Sequence, residues 1–307
     1  MYLKTNPNGY LLLIAALLLI TTLGLSSCTL LPEDDYSHNN SETDEQTDFY
    51  HPAENDENNS GKGLADNNDE PDDNTIAYLP IIGIYSGVGS WDINVEAFIN
   101  FLDYYEYTWI RVDEEDMVAM DLAGHMDVII FPGGFAAEYK NLIPDHDNLI
   151  HFVKEGGIFI GTCAGAYYAS DILTWHGTDY QYPLGFYDGR GIGPLAGQVN
   201  WGDITGFLLT PGHPVNEGFN QTLEIYYFDG PYFDLDETAS VEIIASYKVN
   251  NQPAVIAGRY GEGKYLLFGP HPELGGYSAQ SPEFNLHGEE GAQWPWLQSS
   301  LTWLYNW

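Results

Sequence analysis

Three short motifs hold residue types that can do chemistry together. Gly161-Thr162-Cys163-Ala164-Gly165 places a cysteine between small residues, after the apolar run Gly157–Gly161 and before a helix-forming stretch. A tight strand-to-helix turn of this kind exposes a nucleophile, and the start of the following helix favours an anionic sulfur. The backbone N–H of Ala164 would point to where an oxyanion forms. The plainer alternative is a small buried cysteine filling space between glycines. Phe268-Gly269-Pro270-His271-Pro272-Glu273 follows the apolar run Tyr265–Phe268 and supplies a base with a carboxylate two residues on. A thiol nucleophile needs such a base, and the base needs a partner to set its tautomer and stabilise its cation. Pro270 and Pro272 restrict the backbone on either side of His271. Phe131-Pro132-Gly133-Gly134-Phe135 is the third motif. Its glycines let backbone amides approach a ligand, and Gly134 is the candidate second oxyanion donor.

Positioning these residues requires alternating strands and helices. The predicted strands are Pro80–Tyr85, Tyr107–Val112, Asp127–Phe131, Gly157–Gly161, Val241–Tyr247, Ala254–Tyr260 and Lys264–Phe268. The predicted helices are Asp92–Leu102, with Ile93, Ala97, Phe98 and Leu102 inward, and Asp147–Lys154, with Leu149, Ile150 and Val153 inward. A closing helix with a Trp-rich inner face is predicted over Ala292–Tyr305. Continuous apolar strands that alternate with helices predict a mostly parallel sheet covered on both faces, with its site at the carboxyl ends of the strands. The Gly-, Pro- and aromatic-rich stretch Leu173–Gly230 carries no clear periodicity.

Composition narrows the class. The 307 residues include 45 Asp+Glu against 9 Lys+Arg, a net charge of −36. That balance excludes a sequence-independent nucleic-acid binder, which must neutralise phosphates. A hydrophobic share of 44% provides a core, and two cysteines, Cys28 and Cys163, exclude a disulfide scaffold. No motif calls for a cofactor. Asp113–Asp116 reads as a solvated helix start and not a metal site, because acids at a helix N-terminus suit its dipole. His213 either lines the pocket or sits in a turn. The 45 aromatic residues can form a stacking surface or fill cores and rims.

The chain divides into three segments: 1–28, 29–75 and 76–307. Lys4 precedes the uncharged run Leu11–Leu25, and Leu25-Ser26-Ser27-Cys28 follows it. This is the pattern of a secretory signal. Its last four residues resemble the lipobox of prokaryotic lipoproteins, which implies cleavage before Cys28, lipid on its sulfur, and a mature chain anchored outside the cytoplasmic membrane. An uncleaved apolar anchor is the alternative. Residues 29–75 read as an extended acidic tether, since Pro32–Thr75 holds 15 acids and one base, Lys62.

Together the three motifs resemble the class I glutamine amidotransferase-like superfamily, in which an elbow cysteine is followed far downstream by His-x-Glu. Here 108 residues separate Cys163 from His271. The closer likeness is to the family named for the N-terminal domain of biotin–protein ligase. Its Pro-Gly-Gly turn, its Gly-x-Cys-Ala-Gly-Ala-Tyr elbow and its Gly-x-His-Pro-Glu end stand at Pro132–Gly134, Gly161–Tyr167 and Gly269–Glu273. Tyr226–Phe233 and Tyr260–Lys264 also match. The resemblance covers about Ile81–Glu273. It implies a flavodoxin-like three-layer α/β sandwich with Cys163 as nucleophile, His271 as base, Glu273 as orienter, and Gly134 and Ala164 as oxyanion donors. Glutamine amidotransferases usually continue the elbow with Gly-His-Gln or similar, whereas Ala166-Tyr167-Tyr168 stands here. Two functions follow. One is a membrane-tethered cysteine hydrolase of an amide or related acyl bond in a small-molecule or peptide-like substrate. The other is a ligand-binding module that keeps the fold without turnover.

Overall fold

The computed structural model describes residues 80–275 and 293–307. They belong to one compact unit, Asp72–Trp307. Cys28, the apolar run before it and the whole acidic stretch 29–75 lie outside the described residues.

The first half follows the predicted alternation: β1 (Ile81–Tyr85), α1 (Asp92–Tyr104), β2 (Thr108–Val112), α2 (Asp116–Ala119), α3 (Leu122–His125), β3 (Val128–Phe131), α4 (Ala136–Leu142), α5 (His146–Lys154), β4 (Ile158–Thr162) and α6 (Ala164–Tyr168). The strands are short apolar runs with β-branched residues that suit burial on both faces. The longer helices are amphipathic. In α5 the Asp145 carboxylate caps the helix by accepting from the Asn148 N–H at 3.1 Å, while Leu149, Phe152 and Val153 are buried. Ile150, expected inward, is half-buried and packs against the same core as Leu149 and Val153. In α1 the buried residues include Asn94, Ala97, Phe98 and Leu102, and Ile93 is half-buried. Asp113 receives the Glu115 and Asp116 N–H groups at 2.9 and 3.0 Å, so these acids start a helix.

After α6 come β5 (Ile172–Trp175), β6 (Thr178–Gln181), β7 (Gly189–Gly193), β8 (Ile204–Leu209), β9 (Thr222–Tyr226), β10 (Tyr232–Leu235), β11 (Val241–Tyr247), β12 (Pro253–Tyr260), β13 (Gly263–Phe268) and α7 (Trp294–Asn306). The large sheet runs β2-β1-β3-β4-β13-β12-β11-β8-β9. From β2 to β13 every pairing is parallel. From β13 outward the pairings are antiparallel. Alternate side chains feed two cores. Ile82, Ile84, Ile130 and Ile160 face the layer of α1 and α7, with Phe98, Trp296 and Leu297. Ile129, Phe131 and Phe159 face the other layer, with Leu149, Phe152 and Tyr168. This is the expected three-layer α/β sandwich. On the second face Phe131 stacks on Tyr85 and Phe159, with ring centroids 4.6 and 5.3 Å away. Truncating it to Ala would cost about 3–5 kcal/mol.

The stretch without clear periodicity supplies β8 and β9 to the edge of the large sheet and, with β10 beyond it, most of a second sheet, β10-β7-β5-β6. Its strands are short, β6 is exposed at every position and β7 reads GRGIG, so no alternation marks them. Among the described residues no helix is long and apolar enough to cross a membrane.

Candidate active site

The parallel register brings the distant motifs together. β13 lies beside β4 with Phe268 opposite Thr162, and the Cys163 N–H donates to the Phe268 carbonyl at 2.9 Å. β3 lies on the other side of β4, with Phe131 opposite Gly161. All three motifs therefore begin at carboxyl strand ends of adjacent strands, where open α/β sheets build sites.

Cys163 sits between β4 and α6 with φ 49° and ψ −102°. A left-handed φ is costly for a residue with a Cβ, by about 1–3 kcal/mol. The surrounding packing holds it there: a Cβ on Gly165 would overlap the Phe131 carbonyl, so the helix start can lie this close to β3 only with glycine. The thiol is 6% exposed and donates to the Phe228 carbonyl at 3.3 Å.

His271 and Glu273 are buried behind it. The His271 N–H donates to the Tyr226 carbonyl at 3.1 Å, and the Trp294 indole donates to the Glu273 carbonyl at 2.9 Å. Both bonds fix the loop backbone. Glu273 Oε1 lies 2.8 Å from His271 Nδ1 and accepts from Asn94 Nδ2 at 2.9 Å. Asn94 Nδ2 also lies 2.9 Å from His271 Nδ1. A carboxylate on Nδ1 puts the proton there and leaves Nε2 as the basic nitrogen. Nε2 is buried and has no hydrogen-bond partner among the described residues. The sulfur, although it donates elsewhere, is close enough to act on the protonation of the imidazole. Burial opposes the imidazolium, but the Glu273 carboxylate and the Cys163 sulfur outweigh it and raise the pKa to about 10.

Gly134, Cys163 and Ala164 line one cavity of about 530 Å³. Its other walls are mainly aromatic, among them Trp91, Tyr167, Trp175, Trp201 and Phe228. The structure thus brings all five predicted domain residues to one place, with Cys163, Gly134 and Ala164 at the cavity and His271 and Glu273 behind the sulfur. Two features escape motif reading. Asn94 is a polar residue on the buried face of α1, and that misplaced polarity was its only signal. Gly133 matters as much as Gly134, because a Cβ there would overlap His271 Cε1. His213 lies in the turn after β8, where Nδ1 accepts from the Val215 N–H at 3.3 Å and the ring meets Trp303. It is absent from the cavity lining.

The chain is 24% identical over 171 residues to a biotin–protein ligase of Schizosaccharomyces pombe; the match covers 48% of this chain and 25% of the relative. The chain thus spans about a quarter of the length of the curated relative it matches. A solved glutamine amidotransferase is similar with a TM-score of 0.49 and 18% identity, covering 74% of this chain and 99% of that one. Another, from Thermotoga maritima, has a TM-score of 0.45 and 14% identity, covering 64% and 78%. The family described as "Biotin-protein ligase, N terminal" matches residues 81–293, a span that includes every motif of the site. The chain belongs to the family of the biotin–protein ligase N-terminal domain.

Proposed function

We propose that this protein is a cysteine hydrolase of an amide or related acyl bond, tethered outside the cytoplasmic membrane. One observation carries the chemistry: His271 is fully buried, held at Nδ1 by Glu273, and keeps Nε2 without a hydrogen-bond partner beside the sulfur. His271, with its pKa raised to about 10, holds the proton on Nε2 beside the sulfur, and the sulfur attacks the acyl carbon. The oxyanion is received by the Gly134 and Ala164 amides at the cavity wall. Collapse breaks the carbon–nitrogen bond, and Nε2 returns the proton to the leaving amine. Water, deprotonated by Nε2, then cleaves the thioester, releasing a carboxylic acid and restoring the thiol. The Glu273 carboxylate orients the ring and stabilises its cation throughout.

A non-catalytic binding module draws on one observation: in this structure the sulfur donates to the Phe228 carbonyl. Labelling separates the two readings. With Cys28 replaced by Ser, an acyl-directed thiol probe is expected to add once to the full chain, detected by intact mass, and not to the Cys163→Ala variant. Absence of labelling under native conditions, with labelling restored in denaturant, would favour the binding module.

The tether completes the proposal. Leu25–Cys28 matches a lipobox, and the acidic residues that follow would hold the domain away from a membrane surface. Mass spectrometry of the mature N-terminus should find lipidated Cys28. Intact Met1–Lys4 on membrane-bound protein would overturn the lipid anchor.

A further inference from the structure

We propose that the cavity selects substrates bearing an alkylammonium group, which it holds between Trp91, Trp201 and Phe228 and beside the Asp229 carboxylate. The proposal rests on the hydrolase reading for the position of the scissile bond, at Cys163, and assigns the class of compound that enters.

The three rings meet nearly at right angles. Trp91 and Trp201 cross at 70° with centroids 5.8 Å apart, Trp91 and Phe228 at 80° and 5.9 Å, and Trp201 and Phe228 at 80° and 4.9 Å. Mutually perpendicular rings make an aromatic corner, the arrangement that recognises quaternary and alkylated ammonium groups through the negative ring faces. A flat apolar ligand would be better served by parallel walls.

Asp229 follows Phe228 directly and is the one charged residue lining the cavity. Its side chain has no hydrogen bond or ion pair among the described residues. Burial holds this carboxyl above its usual range, and His176 offsets that only in part. A carboxylate kept in apolar surroundings without a cation gains from a ligand that brings one. The residue also adopts φ 60°, which aims this acidic position by a backbone conformation that Asp and Asn tolerate better than most. A volume of about 530 Å³ accommodates a small molecule with both an ammonium head and an acyl bond within reach of the sulfur.

The probes are choline and its neutral isostere 3,3-dimethylbutan-1-ol, titrated by calorimetry into the full chain carrying Cys163→Ala. Choline is expected to bind about tenfold more tightly than the isostere, the difference a cation adds in an aromatic corner. Trp201→Ala and Asp229→Asn should each weaken choline binding about fivefold or more while leaving isostere binding within about twofold. Trp201 is 53% exposed and Asn tolerates the backbone of Asp229, so both variants should melt with the parent. Equal affinity for the two probes, or choline binding that survives both substitutions in folded protein, would overturn the proposal. Because the nucleophile is already removed, cation binding succeeds or fails independently of the labelling of Cys163.

Discussion

Glu273 Oε1 lies 2.8 Å from Nδ1 of His271, and neither side chain is more than 1% exposed. Two residues in one short loop thus form a buried base with its orienting carboxylate, and the loop is fixed from outside by Tyr226 and Trp294.

The first consequence concerns pH. The imidazole of His271 is raised from an unfolded value near 6.5 to about 10 in the folded protein. A base raised in this way contributes stability that is fully present below about pH 6.5 and is lost as pH rises through about 10. The melting temperature should therefore fall between pH 7 and 10, and more steeply than in His271→Gln. Replacing Cys163 with Ala removes one of the groups that hold the proton. NMR of the ring should then show His271 titrating at lower pH than in the parent. An unchanged midpoint would mean that the sulfur does not act on the ring.

Asn94 should matter for both stability and reactivity. Asn94→Ala removes a donor from buried Glu273 and should destabilise the fold by about 1–3 kcal/mol, measured by denaturant unfolding. It should also slow alkylation of Cys163, because the carboxylate that orients His271 loses a support.

Gly133→Ala tests the position of the ring. The added methyl would overlap His271 Cε1 and force the imidazole to move. Reaction of Cys163 with iodoacetamide should slow about tenfold or more, since a displaced ring no longer takes the thiol proton. Alkylation at the parent rate would show that the ring does not assist the sulfur.

A graded series at the loop gives the sharpest comparison. With Cys28 replaced by Ser, His271→Ala should slow alkylation of Cys163 more than Glu273→Gln does, because the second variant keeps the base and loses only its orienting charge. A reversed order would assign Glu273 a larger part than orientation.

Much of the architecture outside residues 173–230 is local and legible in the sequence. Apolar runs such as IIGIY and VIIF are too short for helices and too apolar for exposure, so they read as buried strands, and β11 has the predicted limits Val241–Tyr247. The elbow and the His-x-Glu loop are equally local, because a turn needs its small residues and prolines next to the residue it presents. By itself the sequence determined the three-layer sandwich, the family and the five candidate site residues of the domain. The tertiary structure decided what depends on pairing across long separations. Only the register of β4 against β13 sets Phe268 opposite Thr162, 106 residues apart in sequence, and so brings the His-x-Glu loop to the elbow. Only that closure reveals Asn94 as a partner of Glu273, since a polar residue on an apolar helix face declares its burial but not its neighbour. The second sheet and the aromatic corner belong to the same class. Their strands are short or exposed, and the perpendicular meeting of Trp91, Trp201 and Phe228 joins residues from separate segments, which no periodicity records.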